Sequence, residues 1–319
     1  MTPDGDVAGP LRVGNPPMPK RFNLLIELSK PSPHRKAVLF MLATALLIPA
    51  VNADVAYLSH RYPVAQLLWA RYAGHLGFML LFFVPRRGLS IFQSTRPGLQ
   101  ASRSAIFCVG SFVMFYALGY VPVATATAVS FTAPLIVTAL SPHFLKETVR
   151  RRNWAAVLLG FLGTLIIVRP GIGGMHPAAL LILISALGSA TTQVMSRKLA
   201  SHDSPETSNL YMASVGFFLS SLFMPWVWTS PNAVVDAVFM SALGLFGGCG
   251  HYCLVRAFEI APAPFVAPFN YAQIVGAALL GFICFRQIPD AGTLMGTCII
   301  VISGLGALST RQRSSAARA

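Results

Sequence analysis

Charge is what this chain has least of. Over 319 residues, Asp, Glu, Lys and Arg together make up 11%, against about 25% in a typical soluble domain. Carboxylates are scarcest, ten against 24 Lys and Arg. With 55% hydrophobic residues and a mean hydropathy of +0.64, a water-facing surface is excluded for most of the chain. The net charge of +14 does not indicate nucleic acid, because the basic residues fall in short runs between apolar segments rather than forming one basic face. Five cysteines, at 108, 249, 253, 284 and 298, all lie inside apolar segments. An odd number at that depth excludes a disulfide framework. Cys249, His251 and Cys253 do not form a metal site on one helix, since positions i and i+2 point nearly opposite ways. No GxxxxGK[ST] loop is present, and Gly171–Gly174 has no lysine to grip phosphates. HExxH and GxSxG are missing too, so nucleotide, metalloprotease and serine-nucleophile chemistries have no anchor. No catalytic residue, metal or cofactor is expected.

What is present is a series of apolar segments, most near the ~20 residues a crossing helix needs. Ten spans are predicted, at 37–59, 64–84, 104–120, 123–145, 154–168, 178–196, 208–228, 237–259, 264–285 and 291–309. Residues 1–36, with seven prolines and Arg12, Lys20, Arg21, Lys30, Arg35 and Lys36, predict a disordered basic tail rather than a cleavable leader; 310–319 predict a second tail. With both termini inside, twenty Lys/Arg fall on the inner side, three outside, and Arg71 within a span. That asymmetry follows the positive-inside rule and favours an even number of crossings.

A shift of 140 residues aligns Gly110, Phe112, Ala117 and Pro122 with Gly250, Tyr252, Ala257 and Pro262, and Phe131 with Tyr271. Five spans per half is an odd number, so the halves enter the membrane from opposite sides. The expected fold class is therefore an all-α integral membrane protein, ten transmembrane helices in two inverted five-helix repeats at 37–169 and 178–309. Such repeats place a substrate site at the midplane between them. Prolines 134 and 268 interrupt the equivalent fourth and ninth spans.

Polar groups inside the spans are the candidate site. An ionised side chain at the bilayer centre costs about 2.5–3.5 kcal/mol on insertion scales, so it normally faces protein or a wet cavity. In the first hairpin these groups are Asn52 and Asp54, then Arg71 and, one turn on, His75. Asp54 and Arg71 lie at similar depth and are expected to pair. Further lining candidates are Gln193, His251, Tyr252, Asn270, Tyr271 and Gln273, whose imidazole, phenols and amides orient an organic solute without fixed charge. Hydroxyl stripes (Ser185, Ser189, Thr192, Ser196; Thr127, Ser130, Thr138, Ser141) and Gly244-x-x-x-Gly248 and Gly292-x-x-x-Gly296 read as helix-packing surfaces. Asp54 is the carboxylate well inside a span, so a proton-coupled scheme would involve it.

Tyr62-Pro63-Val64-Ala65-Gln66 followed by Arg71, Ala133-Pro134-Leu135, and LKETVRRRNW leading to Gly160, Gly163 and Arg169-Pro170-Gly171 carry a family likeness. The chain resembles the drug/metabolite transporter superfamily, specifically proteins with two EamA-type domains, over about 37–309. Its first two helices look most like the group containing S-adenosylmethionine uptake carriers. Relatives in that group often carry Asp at the place of Asn52 and Lys at that of Ala56; this chain has neither, so that substrate is not carried over. The resemblance implies a ten-helix inner-membrane carrier of a small-molecule organic metabolite, working in the lipid bilayer as monomer or homodimer, with protons the candidate coupling ion and both termini cytoplasmic. The competing class is a membrane-embedded enzyme or assembly scaffold without transport.

Overall fold

In hydrocarbon a backbone must satisfy its own hydrogen bonds, which leaves the helix as the form open to isolated apolar segments. The computed structural model describes residues 33–145, 151–168, 176–199, 201–260 and 269–316, and every regular element among them is helical. Expectations resting on 1–32, Glu147, Arg169-Pro170-Gly171 and Pro268 lie outside the described residues. The helices are α1 (Pro33–Leu58), α2 (Val64–Phe82), α3 (Pro97–Leu118), α4 (Val123–Ser130), α5 (Ala133–Leu145), α6 (Arg151–Val168), α7 (Ala178–Leu199), α8 (Pro205–Ser221), α9 (Val234–Ile260), α10 (Ala272–Phe285) and α11 (Ala291–Ala316). Six stretches are long and apolar enough to cross a membrane: His34–Leu58, Val64–Phe92, Pro97–Leu118, Val123–Leu140, Ala178–Leu199 and Val234–Ala257. Shorter apolar helices run over Val157–Val168, Ala272–Phe285 and Ala291–Ser303.

Local chemistry sets several boundaries. Pro97 opens α3 at a position where its missing N–H leaves nothing unsatisfied, two turns before the expected start at 104. That start brings Gln100 and Arg103 into the helix, so Arg103, counted above with an inner loop, is an interior residue only 8% exposed. The fourth span breaks at Phe131-Thr132 because the ring of Pro134 would collide with the carbonyl four residues back, that of Ser130. Ser204 caps α8 by accepting the Thr207 N–H at 3.1 Å, with Pro205 and Glu206 in the first turn. At the far end α11 continues to Ala316, into the stretch expected to be a tail.

Proline and glycine also decide which helices touch. Pro49 inside α1 has no N–H for the Ala45 carbonyl. That carbonyl faces Gly276 of α10, where a Cβ would lie 2.1 Å from the oxygen. Between α2 and α9 the backbones meet at Gly74 and Gly244; a Cβ on Gly74 would sit 2.7 Å from the Gly244 Cα. Gly163 and Gly296 make a comparable crossing between α6 and α11. The packing role expected of Gly244, Gly248 and Gly296 thus has specific partners.

The principal helix contacts are α1 with α9 and α10, α2 with α8 and α9, α3 with α7 and α8, α5 with α7, α4 with α10, and α6 with α11. Turns sort to two ends. At one, Arg61 meets Asp236 and Tyr120 stacks on His176 at 4.6 Å. At the other, Arg87 meets Glu206.

Candidate functional site

Arg71 is the centre of the buried polar chemistry. It lies on α2, 7% exposed, at the level where α9 and α3 close over that helix. The Gly74–Gly244 crossing is one turn away and brings α9 close enough for its next turn to cover the guanidinium. Gly247 keeps that space open, since a Cβ there would stand 3.4 Å from Arg71 Nε. Arg71 Nη1 donates to Ser111 Oγ at 3.1 Å, and Nη2 lies 3.2 Å from His251 Nε2. A guanidinium only donates, so His251 accepts through Nε2 and is the neutral tautomer with its proton on Nδ1. The rings of Tyr72, Phe107 and Phe115 surround the cation with centroids 5.6, 5.6 and 5.4 Å from Cζ. Each such ring contributes about 0.5–2 kcal/mol.

His75, one turn along α2, is 1% exposed and stacks on His251 with centroids 6.2 Å apart and planes within 8°. Phe107 meets His251 edge-on at 5.7 Å. Arg71 Nε and His75 Nε2 have no hydrogen-bond partner.

The expected Asp54–Arg71 pair does not form. Among the described residues no ion pair within 4 Å joins them, as one joins Arg61 to Asp236 and Arg87 to Glu206, and Asp54 Oδ2 is buried without a partner. Equal depth on two helices fixes height and leaves rotation about the helix axis undetermined. Arg71 turns toward α3 and α9, to Ser111 and His251. Gln193 also departs from expectation: it is exposed, whereas its neighbour Thr192 is buried. One residue along a helix is about 100° of rotation, enough to carry Gln193 off the packed face.

The remaining candidates fall into separate places. Asn52 is half-buried on α1. Tyr252 sits among rings, edge-on to Phe40, Phe78 and Phe83 at 6.4, 6.4 and 5.1 Å. Asn270 accepts from Gln273 Nε2, and Tyr271 lies against Phe131 at 5.0 Å. The structure therefore joins Arg71, His75 and His251 in one cluster and Asn270, Tyr271 and Gln273 in another.

Sequence reasoning missed Ser111, Phe107 and Arg103. Arg103 Nη1 donates to Ser196 Oγ at 3.0 Å and Nη2 to the Ser208 carbonyl at 2.6 Å. Among the described residues its Nε has no partner. The available signal was Pro97, which marks a helix start early enough to enclose residue 103.

Two polar networks lie at the ends of the same interface. At the Arg61 end, Tyr62 donates to Asp236 Oδ2 at 2.8 Å and accepts from the Asn232 N–H at 2.9 Å. Gln66 pairs both its amide groups with the Thr229 backbone, at 2.7 and 2.9 Å. The Tyr62–Gln66 motif thereby fastens α2 to the loop before α9. At the Arg87 end, Arg87 meets Glu206 at 2.9 Å. Asp203 there accepts from Ser94, from the Thr95 N–H at 2.9 Å, from the Thr95 hydroxyl at 3.1 Å and from Gln100 at 2.9 Å. Partial burial pushes the Asp203 carboxyl up, but these donors outweigh it and hold it down at about 2. Beside this network is a cavity of about 540 Å³ lined by Arg87, Thr95, His202 and Glu206. Another, of about 450 Å³ at the opposite end, is lined by Tyr57, His60, Arg61 and Gln287.

Known proteins resolve what such a helical assembly is. The model of the EamA-like transporter family matches twice, over residues 35–169 and 176–309. The chain belongs to that family. It is similar to the S-adenosylmethionine uptake transporter of Rickettsia prowazekii, 26% identical over 75% of this chain and 81% of that protein. The riboflavin transporter of Vibrio cholerae is 29% identical over 84% and 91% of the two chains. A pseudopaline exporter of Pseudomonas aeruginosa is 26% identical over 87% and 98%. A crystal structure 21% identical in sequence superposes with a TM-score of 0.58, covering 87% of this chain and 98% of that one; it speaks for the fold. Six apolar stretches in an EamA-family chain make it a multi-pass membrane protein, in a family of transporters rather than enzymes.

Proposed function

We propose that this protein is a secondary transporter that carries a small organic metabolite across the inner membrane by alternating access. In this reading ten helices cross, both termini and the Arg87 end are cytoplasmic, and five-helix repeats at 37–169 and 178–309 face each other in opposite orientation. One observation carries it: helix contacts exchange under the repeat. The first–eighth contact answers to the sixth–third, the second–eighth to the seventh–third, and the first–ninth to the sixth–fourth. Side chains follow the same exchange. Ser185 Oγ bonds the Gly110 carbonyl at 2.8 Å, and Thr44 Oγ1 bonds the Gly250 carbonyl at 3.3 Å. Gly110 and Gly250 are the positions aligned by the 140-residue shift. Phe131 and Tyr271, aligned by the same shift, lie against each other, as expected where a two-fold axis passes.

Substrate sits between the halves, against Arg71, His75 and His251 on one side and Asn270, Tyr271 and Gln273 on the other. Rocking that releases one end network while the other holds would open the site to one side at a time. Asp54 is the candidate proton carrier. Counterflow into proteoliposomes tests the reading, with S-adenosylmethionine and riboflavin as the first solutes because similar proteins carry those names. Saturable uptake of any small metabolite supports a carrier; turnover of a solute without flux would replace it with a membrane enzyme. Uptake that ignores pH in the wild-type protein removes Asp54 from the coupling scheme.

A further inference from the structure

The central cluster is rich in donors and, among the described residues, has no counter-ion. Arg71, more than nine-tenths buried, has no carboxylate within 4 Å among the described residues, and neither does Arg103. What surrounds Arg71 is neutral: one hydroxyl, one imidazole held as an acceptor, and three aromatic faces. Two ring and guanidine nitrogens in the cluster, Arg71 Nε and His75 Nε2, are buried and have no partner among the described residues. A cation removed from water without an ion partner is expensive in a protein interior and more so in a bilayer. Ring faces and one hydroxyl offset part of that and leave the charge itself unneutralised.

Other features are better satisfied where they stand. Arg61 has Asp236, Arg87 has Glu206, and Asp203 is ringed by four donors. The Tyr252 ring cluster is filled by aromatic side chains.

We propose that the Arg71 cluster is the binding point for an oxyanionic group of the substrate, a carboxylate or a phosphate, so that the protein carries an anion or the anionic end of a larger metabolite. The planar guanidinium fork matches two oxygens of either group in parallel hydrogen bonds. Arg71 Nε supplies a free donor, and His75, protonated at Nε2, supplies a second from the next turn. The stacked His75–His251 pair and the ring of Phe107 make a flat wall beside the anion. This inference rests on the transporter reading for the word substrate, whereas the anion site itself does not need transport.

The test uses the purified full chain in detergent at constant chloride, with thermal unfolding followed against acetate, inorganic phosphate, tetramethylammonium and the neutral polyol erythritol. Acetate or phosphate should raise the melting temperature in a saturable way, and whichever acts at lower concentration identifies the preferred oxyanion. Arg71→Gln should weaken that response by about ten-fold or more, the scale of one charge-assisted hydrogen bond. Arg71→Lys should keep the preference for anions over tetramethylammonium while losing part of the affinity. Should Arg71→Gln not fold, Arg71→Lys and His75→Gln decide, because both should weaken the oxyanion response. Equal responses in wild type and variants, or stabilisation by tetramethylammonium or erythritol alone, would overturn the proposal. Oxyanion binding lost in Arg71→Gln with no flux in vesicles would leave the site standing and remove the transporter. Flux with no oxyanion effect would do the reverse.

Discussion

Along one hairpin, α2 carries two arginine-centred arrangements that contrast sharply. Arg61, just before it, sits half in water with the buried carboxylate of Asp236, and Tyr62 and Asn232 complete the network. Ten residues on, Arg71 is buried among rings with no described carboxylate within 4 Å. A surface charge is the easier of the two to leave unpaired, yet it is the surface one that has its partner. A protein that needed only to fold would neutralise the interior charge first. On the proposed reading, the end network holds the two halves together, while the centre is left unsatisfied for the substrate.

The most direct way to break this comparison is Arg71→Gln. Initial uptake in vesicles, normalised to inserted protein, should fall about ten-fold or more, the scale of one charge-assisted hydrogen bond of roughly 1.5–3 kcal/mol. Tyr62→Phe should leave uptake within a few-fold. If the two variants lose uptake equally, the division between centre and end collapses. Gly74→Leu, which drives a side chain into the Gly244 backbone, should destabilise the fold by about 1–3 kcal/mol through overpacking, read as a lower melting temperature. Asp236→Asn should cost about 1–3 kcal/mol, because Arg61 and Tyr62 lose a charged acceptor. An unchanged melting temperature there would show that the Arg61 end is not a fastening.

The smallest effect concerns the opposite end. Asp203, held down at about 2 when folded, against an ordinary value of about 4 in an unfolded chain, adds stability that is complete above that ordinary value. The contribution is lost as pH falls through the folded value. Melting temperature should therefore drop as pH goes from about 4 to about 2, and Asp203→Asn should flatten that part of the curve. A variant with the same acid slope as wild type would assign the slope to other carboxylates.

Much of the fold was visible in the chain, for a reason particular to lipid. A crossing helix must be long and apolar, so 64–84 and 178–196 announce themselves, and Pro122 and Pro134 mark where the fourth span begins and breaks. The start of α3 was hidden because Gln100 and Arg103 look like loop residues; their partners, Asp203, Ser196 and Ser208, come from a hundred residues away. Arg71 and His75 were legible as intramembrane polar groups one turn apart. Which way they turned was not, because the azimuth of a helix is set by what it packs against. That is how Asp54 was assigned to Arg71 when His251 and Ser111 were to be its neighbours.

The bare meeting of Gly74 with Gly244 has a mechanical consequence. At the contact of Gly74 with Gly244 no side-chain knob has to leave a hole for the angle between the two rods to change. Tyr62 is twelve residues from that fulcrum, about 18 Å along the axis, while Arg71 is three residues away, about 4.5 Å. A swing of about 10° would carry the far end roughly 3 Å, enough to part its hydrogen bonds, and shift the guanidinium by under about 1 Å. Under the proposed alternating access, the binding point would stay nearly still while the end network opened.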